Sequence, residues 1–161
     1  HMGEWKGCRL LLFLRILDMI NNVNAGDNEG TTALIWAIRY NRQEMVTTLL
    51  NHPGIVVNAG DNEGMTALMW AVRRNRQEMV TTLLNHPGIV VNFQGGPDNY
   101  SALHWAAIEN HPDILRQLLC DDRIVCNLKD SLQKSTPLMH AIVYGHDECV
   151  KILREHGAPE E

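Results

Sequence analysis

Residues 24–57 read NAGDNEGTTALIWAIRYNRQEMVTTLLNHPGIVV, and residues 58–91 read NAGDNEGMTALMWAVRRNRQEMVTTLLNHPGIVV. Each stretch is 34 residues long, and they differ at four positions: Thr31/Met65, Ile35/Met69, Ile38/Val72 and Tyr40/Arg74. Self-similarity at such a period marks stacked supersecondary units that bury their apolar faces only against neighbours. The phase continues at Asn92 and Asn127, which open two diverged copies. The chain thus divides into units at 24–57, 58–91, 92–126 and 127–161, preceded by a capping helix within 3–23. His1 and Met2 read as an expression remnant, which implies a parent chain that extends further.

One unit can be read as physical chemistry. NAGDNEG at 58–64 is dense in turn formers, with glycines free to take positive φ. Thr66 follows as a helix N-cap, and its equivalents Thr32, Ser101 and Thr136 all carry the hydroxyl that job needs. The next position holds Ala33, Ala67, Ala102 and Pro137, and proline is welcome there only at the first turn of a helix. Asn75 ends the helix, and its equivalents Asn41, Asn110 and Gly145 tolerate the left-handed conformation of a helix stop. A second helix carries Met79, Val80, Leu83 and Leu84 as its buried stripe and stops at the HPG of 86–88. Helices are expected near 9–21, 33–40, 43–51, 67–74, 77–85, 102–109, 112–120, 137–144 and 147–155, in two layers, with turns rather than a continuous sheet between them.

These units resemble ankyrin repeats, whose consensus runs roughly G-x-T-P-L-H-x-A-A near its start and ends in a Val-Asn step. The matching stretches are GMTALMWA at 64–71, SALHWAA at 101–107 and TPLMHA at 136–141. The resemblance covers about residues 10–158 and implies an all-α solenoid of helix-turn-helix units joined by hairpin loops. It also implies that the consensus histidine ties neighbouring repeats by hydrogen bonds. Here that position is Ile35, Met69, His104 and Met139, so apolar packing must replace the histidine in three repeats. At the C-terminal end, Arg154 replaces the leucine of the inner copies (Leu50, Leu84, Leu119), as a water-facing cap requires. At the other end, 8–21 resembles only a second helix, with Ile16, Leu17 and Ile20 as packing residues.

Composition narrows the function. A net charge of −5 argues against a general polyanion binder. The apolar run at 10–14 is interrupted by Arg15 and Asp18, far short of a membrane span. Four cysteines without a CxxC pair point to a reduced, intracellular protein, cytoplasmic or nuclear. Cys126 and Cys149 occupy apolar repeat positions. His52 matches His86, and His111 matches His146, so the histidines follow the repeat rather than a zinc site. The recurring carboxylates Asp27/Glu29 and Asp61/Glu63 sit at equivalent turns, as duplication leaves them, and read as solvated charges rather than acid/base pairs. His140 stands where the other copies have tryptophan, with no nucleophile at a suggestive spacing. No cofactor, metal, small-molecule substrate or catalytic set is expected.

Trp36, Trp70 and Trp105 share one phase of the first helix, so stacking aligns them in a row. They either fill space between repeats or present their edges as interface anchors. The family resemblance places binding on the turn tips and first-helix ends that line a concave groove. Those positions are Asp27, Asn28, Glu29, Thr31, Arg39 and Tyr40, then Asp61, Asn62, Glu63, Met65, Arg73 and Arg74. Tyr100, Ile108, Glu109, Val143 and Tyr144 complete the set. The longer third turn, 93–99, falls on a loop edge of the kind that insertions in solenoids occupy. The resemblance further implies that asparagine of the Val-Asn step is a substrate for an asparaginyl hydroxylase, with Asn58 and Asn92 the best fits. The expected function is a monomeric, non-enzymatic scaffold that binds a protein or peptide through its concave surface. The alternatives are a regulatory domain contacting its own parent chain, and a weak nucleic-acid contact through Arg39, Arg73 and Arg74, with Arg42 and Arg76 beside them.

Overall fold

The computed structural model describes residues 22–159. The expected helix at 9–21 lies outside the described residues. Among those described are eight helices in four pairs: α1 Ala33–Arg39 with α2 Gln43–Leu50, α3 Ala67–Arg73 with α4 Gln77–Leu84, α5 Ala102–Ile108 with α6 Pro112–Leu119, and α7 Pro137–Val143 with α8 Asp147–Glu155. The first helices pack in the order α1, α3, α5, α7 and the second helices in the order α2, α4, α6, α8, giving two layers. Strands β1 Gln94–Gly95 and β2 Tyr100–Ser101 pair antiparallel, Gln94 opposite Ser101, at the tip of the third repeat. In the first two repeats that hairpin shrinks to single bridges, Gly26 to Thr32 and Gly60 to Thr66.

Short-range chemistry sets the helix limits. Thr32, Thr66, Ser101 and Thr136 take extended φ/ψ, and each side chain accepts the N–H three residues on. Pro137 opens α7. Asn41, Asn75, Asn110 and Gly145 have φ of 57°, 55°, 55° and 69°, the left-handed stop that their residue types foretell. Seven of the eight helices end one residue before the expected limit, because that residue is the C-cap rather than a helical position.

Leu34, Leu68, Leu103 and Leu138 are buried at equivalent places, each worth about 1.5–3 kcal/mol of burial. Ala37, Ala71, Ala106 and Ala141 are buried beside them, and their small side chains let successive first helices approach. Ile38, Val72 and Ala107 sit sealed between repeats, while the equivalent Ile142 is 45 % exposed. Arg154 is also exposed. The C-terminal end is therefore polar on its outer helix but apolar on its inner one. Cys149 is fully buried and Cys126 half-buried, and burial pushes both thiols up from their ordinary value, as expected of cysteines serving as apolar residues. No helix among the described residues is long and apolar enough to cross a membrane.

Candidate functional site

The hairpin tips of the first two repeats are built around one aspartate each. Asp61 Oδ1 accepts the Glu63 N–H at 3.1 Å and the Met65 N–H at 2.9 Å, and Oδ2 accepts the Trp70 indole N–H at 2.9 Å. Asp27 repeats the arrangement with Glu29, Thr31 and Trp36, at 2.9, 2.9 and 3.0 Å. Each aspartate thus fastens its tip to the first helix of its own repeat. Glu29 and Glu63 remain exposed on the tips.

The tryptophans interleave with arginines. The Arg39 guanidinium lies 5.3 Å from the Trp36 ring and 4.9 Å from the Trp70 ring. Arg73 lies 5.5 Å from Trp70 and 4.6 Å from Trp105. The result is a row in the order Trp36, Arg39, Trp70, Arg73, Trp105, each cation between two rings. Tyr40 stacks on Trp36 at 4.9 Å and 5°, and Arg74 lies over Trp70 at 5.7 Å. The fourth difference between the twin repeats therefore exchanges one group stacked on the local indole for another. Trp70 is only 8 % exposed, and Trp36 and Trp105 are partly buried. The row presents arginine and tyrosine more than bare indole.

Two positions expected on the groove are not presented at all. Thr31 is 2 % exposed and Met65 1 %. Their carbonyls accept the N–H of Asp27 and Asp61, which closes each hairpin and turns the side chain inward. Met65 packs beneath Gly96, where an added Cβ would meet its sulfur at 3.3 Å. The Thr31/Met65 difference is a change of core filling under a longer neighbouring tip, not a change of surface.

The third and fourth repeats rework the tip. Gly95 stands where the first two repeats have aspartate, and Trp105 Nε1 is buried with no hydrogen-bond partner; Tyr100 stands edge-on to the ring at 5.3 Å. In the fourth repeat Asp130 resumes the role: Oδ1 accepts from Gln133 N and Ser135 N at 2.9 and 3.3 Å, and His140 Nε2 donates to Oδ2 at 2.7 Å. Burial pushes the Asp130 carboxyl up, but the His140 hydrogen bond and the two backbone donors outweigh it and hold it below its ordinary value. Sequence reading missed this pair. The signal was present in a turn from Asn127 to Thr136 one residue longer than from Asn58 to Thr66, which moves the aspartate one place away from its partner. Tyr100 stands edge-on to His140 at 5.2 Å, and Tyr144 stacks on His140 at 6.2 Å, so the aromatic row continues.

His104 ties two repeats, as the consensus implies. Its Nδ1 accepts the Ser101 N–H at 3.2 Å, which leaves Nε2–H to donate to Ser135 O at 3.1 Å. Burial pushes its pKa down to about 4, against the Ser135 hydrogen bond, which favours the charged form. Ile35 and Met69 are buried at the equivalent position, and Met139 offers its sulfur to the Thr136 N–H at 3.5 Å.

Asn24, Asn58 and Asn92 each open a repeat and bind the loop that closes that same repeat, rather than their own turn. Asn58 Nδ2 donates to Gly88 O at 2.7 Å and Oδ1 accepts the Val90 N–H at 2.9 Å. Asn92 does the same with Arg123 O and Val125 N, at 2.7 and 2.9 Å. Among the described residues no group of three or more His, Cys, Asp or Glu side chains could hold a metal ion.

A family model described as ankyrin repeats, in three copies, matches residues 6–95 and 90–160. No curated protein matches the chain. Paired helices with left-handed asparagine stops, hairpin tips pinned to the first helix, and an asparagine ladder between loops occupy the span of that match. The chain belongs to the ankyrin repeat family, whose repeats are in general modules for protein–protein interaction.

Proposed function

We propose that this chain binds a protein or peptide segment along the concave face made by the hairpin tips and the ends of the first helices. The observation that carries this reading is the row of alternating tryptophan and arginine. It is held in place before any partner arrives, so little side-chain entropy remains to be lost on binding. Arg, Tyr and Trp are also the residue types that interfaces concentrate. The residues assigned to the face are Glu29, Arg39, Tyr40, Glu63, Arg73, Arg74, Glu109 and Tyr144, with Trp36, Trp70 and Trp105 as supports. Thr31 and Met65 are excluded by burial.

Exchanging Tyr40→Arg and Arg74→Tyr tests it. Both residues stack on the indole four positions earlier, and each repeat keeps that indole, Trp36 or Trp70, for the exchanged side chain. The double variant should keep its stability within about 1 kcal/mol by denaturant titration. Affinity for a protein captured on the wild-type chain should fall more than about tenfold, roughly 1.4 kcal/mol, since ring and charge are presented in the wrong order. Unchanged affinity moves the interface elsewhere.

We also propose Asn58 and Asn92 as hydroxylation substrates, which supports a family-type regulation of the array. Each amide must first release its two hydrogen bonds to the loop that closes its repeat, so modification should be slow on the folded chain and faster on a destabilised one. Mass spectrometry after incubation with an asparaginyl hydroxylase checks this. No added oxygen at either site, even on a destabilised chain, rejects it.

A further inference from the structure

The binding face is not uniform along its length. The last residues of the four first helices are Arg39, Arg73, Ile108 and Val143, and the C-caps that follow are Tyr40, Arg74, Glu109 and Tyr144. One half of the row therefore ends its helices in arginine and the other half in aliphatic side chains. Val143 is 79 % exposed, and Tyr144 and Ile142 beside it are exposed as well.

The arginine half has unspent donors. Arg39 and Arg73 have their flat faces against indoles, which leaves the N–H rim of each guanidinium for an anion. Glu29 reaches Arg39 only at 3.9 Å and Glu109 reaches Arg73 at 3.5 Å; neither pair is buried, and such pairs exchange for a ligand carboxylate at little cost. The Asp61 carboxylate is turned inward to its own tip and indole. Glu29 and Glu63 line the tip side and disfavour acidic side chains there, so charge on a partner must be confined to the side facing the arginines.

We infer that the partner is an extended peptide segment with two acidic side chains at one end and an aliphatic or aromatic side chain at the other. The acids meet Arg39 and Arg73, and the apolar residue covers Val143 and Tyr144. This rests on the binding face proposed above and adds the partner's chemistry. Packed helices stand about 8–10 Å apart and an extended chain rises about 3.3 Å per residue, so one repeat spans about three residues. The acids should therefore lie about three residues apart, with the apolar anchor about six residues beyond the one at Arg73. A polyproline-II segment, with about three residues per turn and a rise of about 3.1 Å per residue, keeps positions about three and nine residues apart on one face, so both acids and the apolar anchor point into the groove.

Selection of a displayed library of random peptides about a dozen residues long, enough to span four repeats, tests this on the full chain. Enriched peptides are then titrated against wild type, Arg39→Gln with Arg73→Gln, Val143→Asp, and Val90→Asp on an exposed outer loop, each checked for fold by circular dichroism. The expected result is enrichment of the acidic pair with its apolar anchor. Binding should weaken about tenfold or more in both groove variants and stay unchanged in Val90→Asp, with added salt weakening only the arginine contribution. Enriched peptides of another charge pattern that still fail on the groove variants overturn this inference and leave the binding face standing. Peptides indifferent to both groove variants overturn both readings. Absence of any enrichment overturns the inference.

Discussion

Gly95→Ala is expected to cost at least about 3 kcal/mol of stability, among the larger effects of any single methyl added to this chain. A Cβ at Gly95 would lie 2.0 Å from the carbonyl oxygen of Gly64 and 2.9 Å from its carbon. Both are backbone atoms of the preceding tip, and a backbone atom cannot move aside as a flexible side chain can. Either β1 separates from β2 or the two tips part, and Met65 beneath Gly96 loses its packing. Gly145→Asn is the matched control. Gly145 has φ of 69° with nothing within 4 Å of an added Cβ, and asparagine already holds the equivalent place at Asn41, Asn75 and Asn110. That change should stay within about 1 kcal/mol. Urea unfolding of both variants decides it, and a Gly95→Ala protein as stable as wild type would show that the tips are not in close contact.

Acidification should destabilise the chain by up to about 3 kcal/mol between pH 6.5 and pH 4, through His104. The ordinary histidine pKa is about 6.5, and burial lowers that of His104 to about 4. Across that interval the unfolded chain binds the extra proton and the folded chain does not, so stability rises with pH and is lost as pH falls. The Asp130 contribution lies in a different window. Its carboxyl is held below the ordinary value, so its stabilisation is present above about pH 4 and is lost only as pH falls further, through the depressed folded value. His104→Met separates the two, because Met69 and Met139 show that the position accepts methionine. Urea titrations near neutral pH and near pH 4.5 should show most of the wild-type difference absent in the variant. An equal pH dependence in both proteins would place the titrating group elsewhere.

The two predictions draw on different kinds of legibility. The histidine was visible as a consensus residue retained in one repeat, and its partner on the next repeat follows from stacking. The contact at Gly95 was not visible, because glycine in a turn-rich stretch is ordinary and nothing local says that a second backbone passes 2.0 Å from its missing Cβ. The face shows the same division. Arg39, Tyr40, Arg73 and Arg74 were assigned to the expected face by the family resemblance together with the repeat phase, since the end of a helix and its cap recur wherever the helix recurs. Thr31 and Met65 share that phase yet are buried, because the hairpin pairing with Asp27 and Asp61 rotates them inward.

What the sequence alone determined is everything carried by interactions within a few residues: the N-caps at Thr32, Thr66, Ser101 and Thr136, the left-handed stops, the proline-opened α7, and, through exact periodicity, the stacking of these units into two layers. Such signals need no knowledge of the neighbouring repeat. Only the tertiary structure decided which groups meet across repeats. It placed Arg39 and Arg73 between successive indoles, left Trp105 Nε1 without the aspartate that its twins have, and moved that partnership to Asp130 and His140 in the last repeat. The reason is geometric. A tip one residue longer leaves the helix it precedes unchanged but shifts which side chain reaches it, and that shift is set by the packing of one repeat on the next.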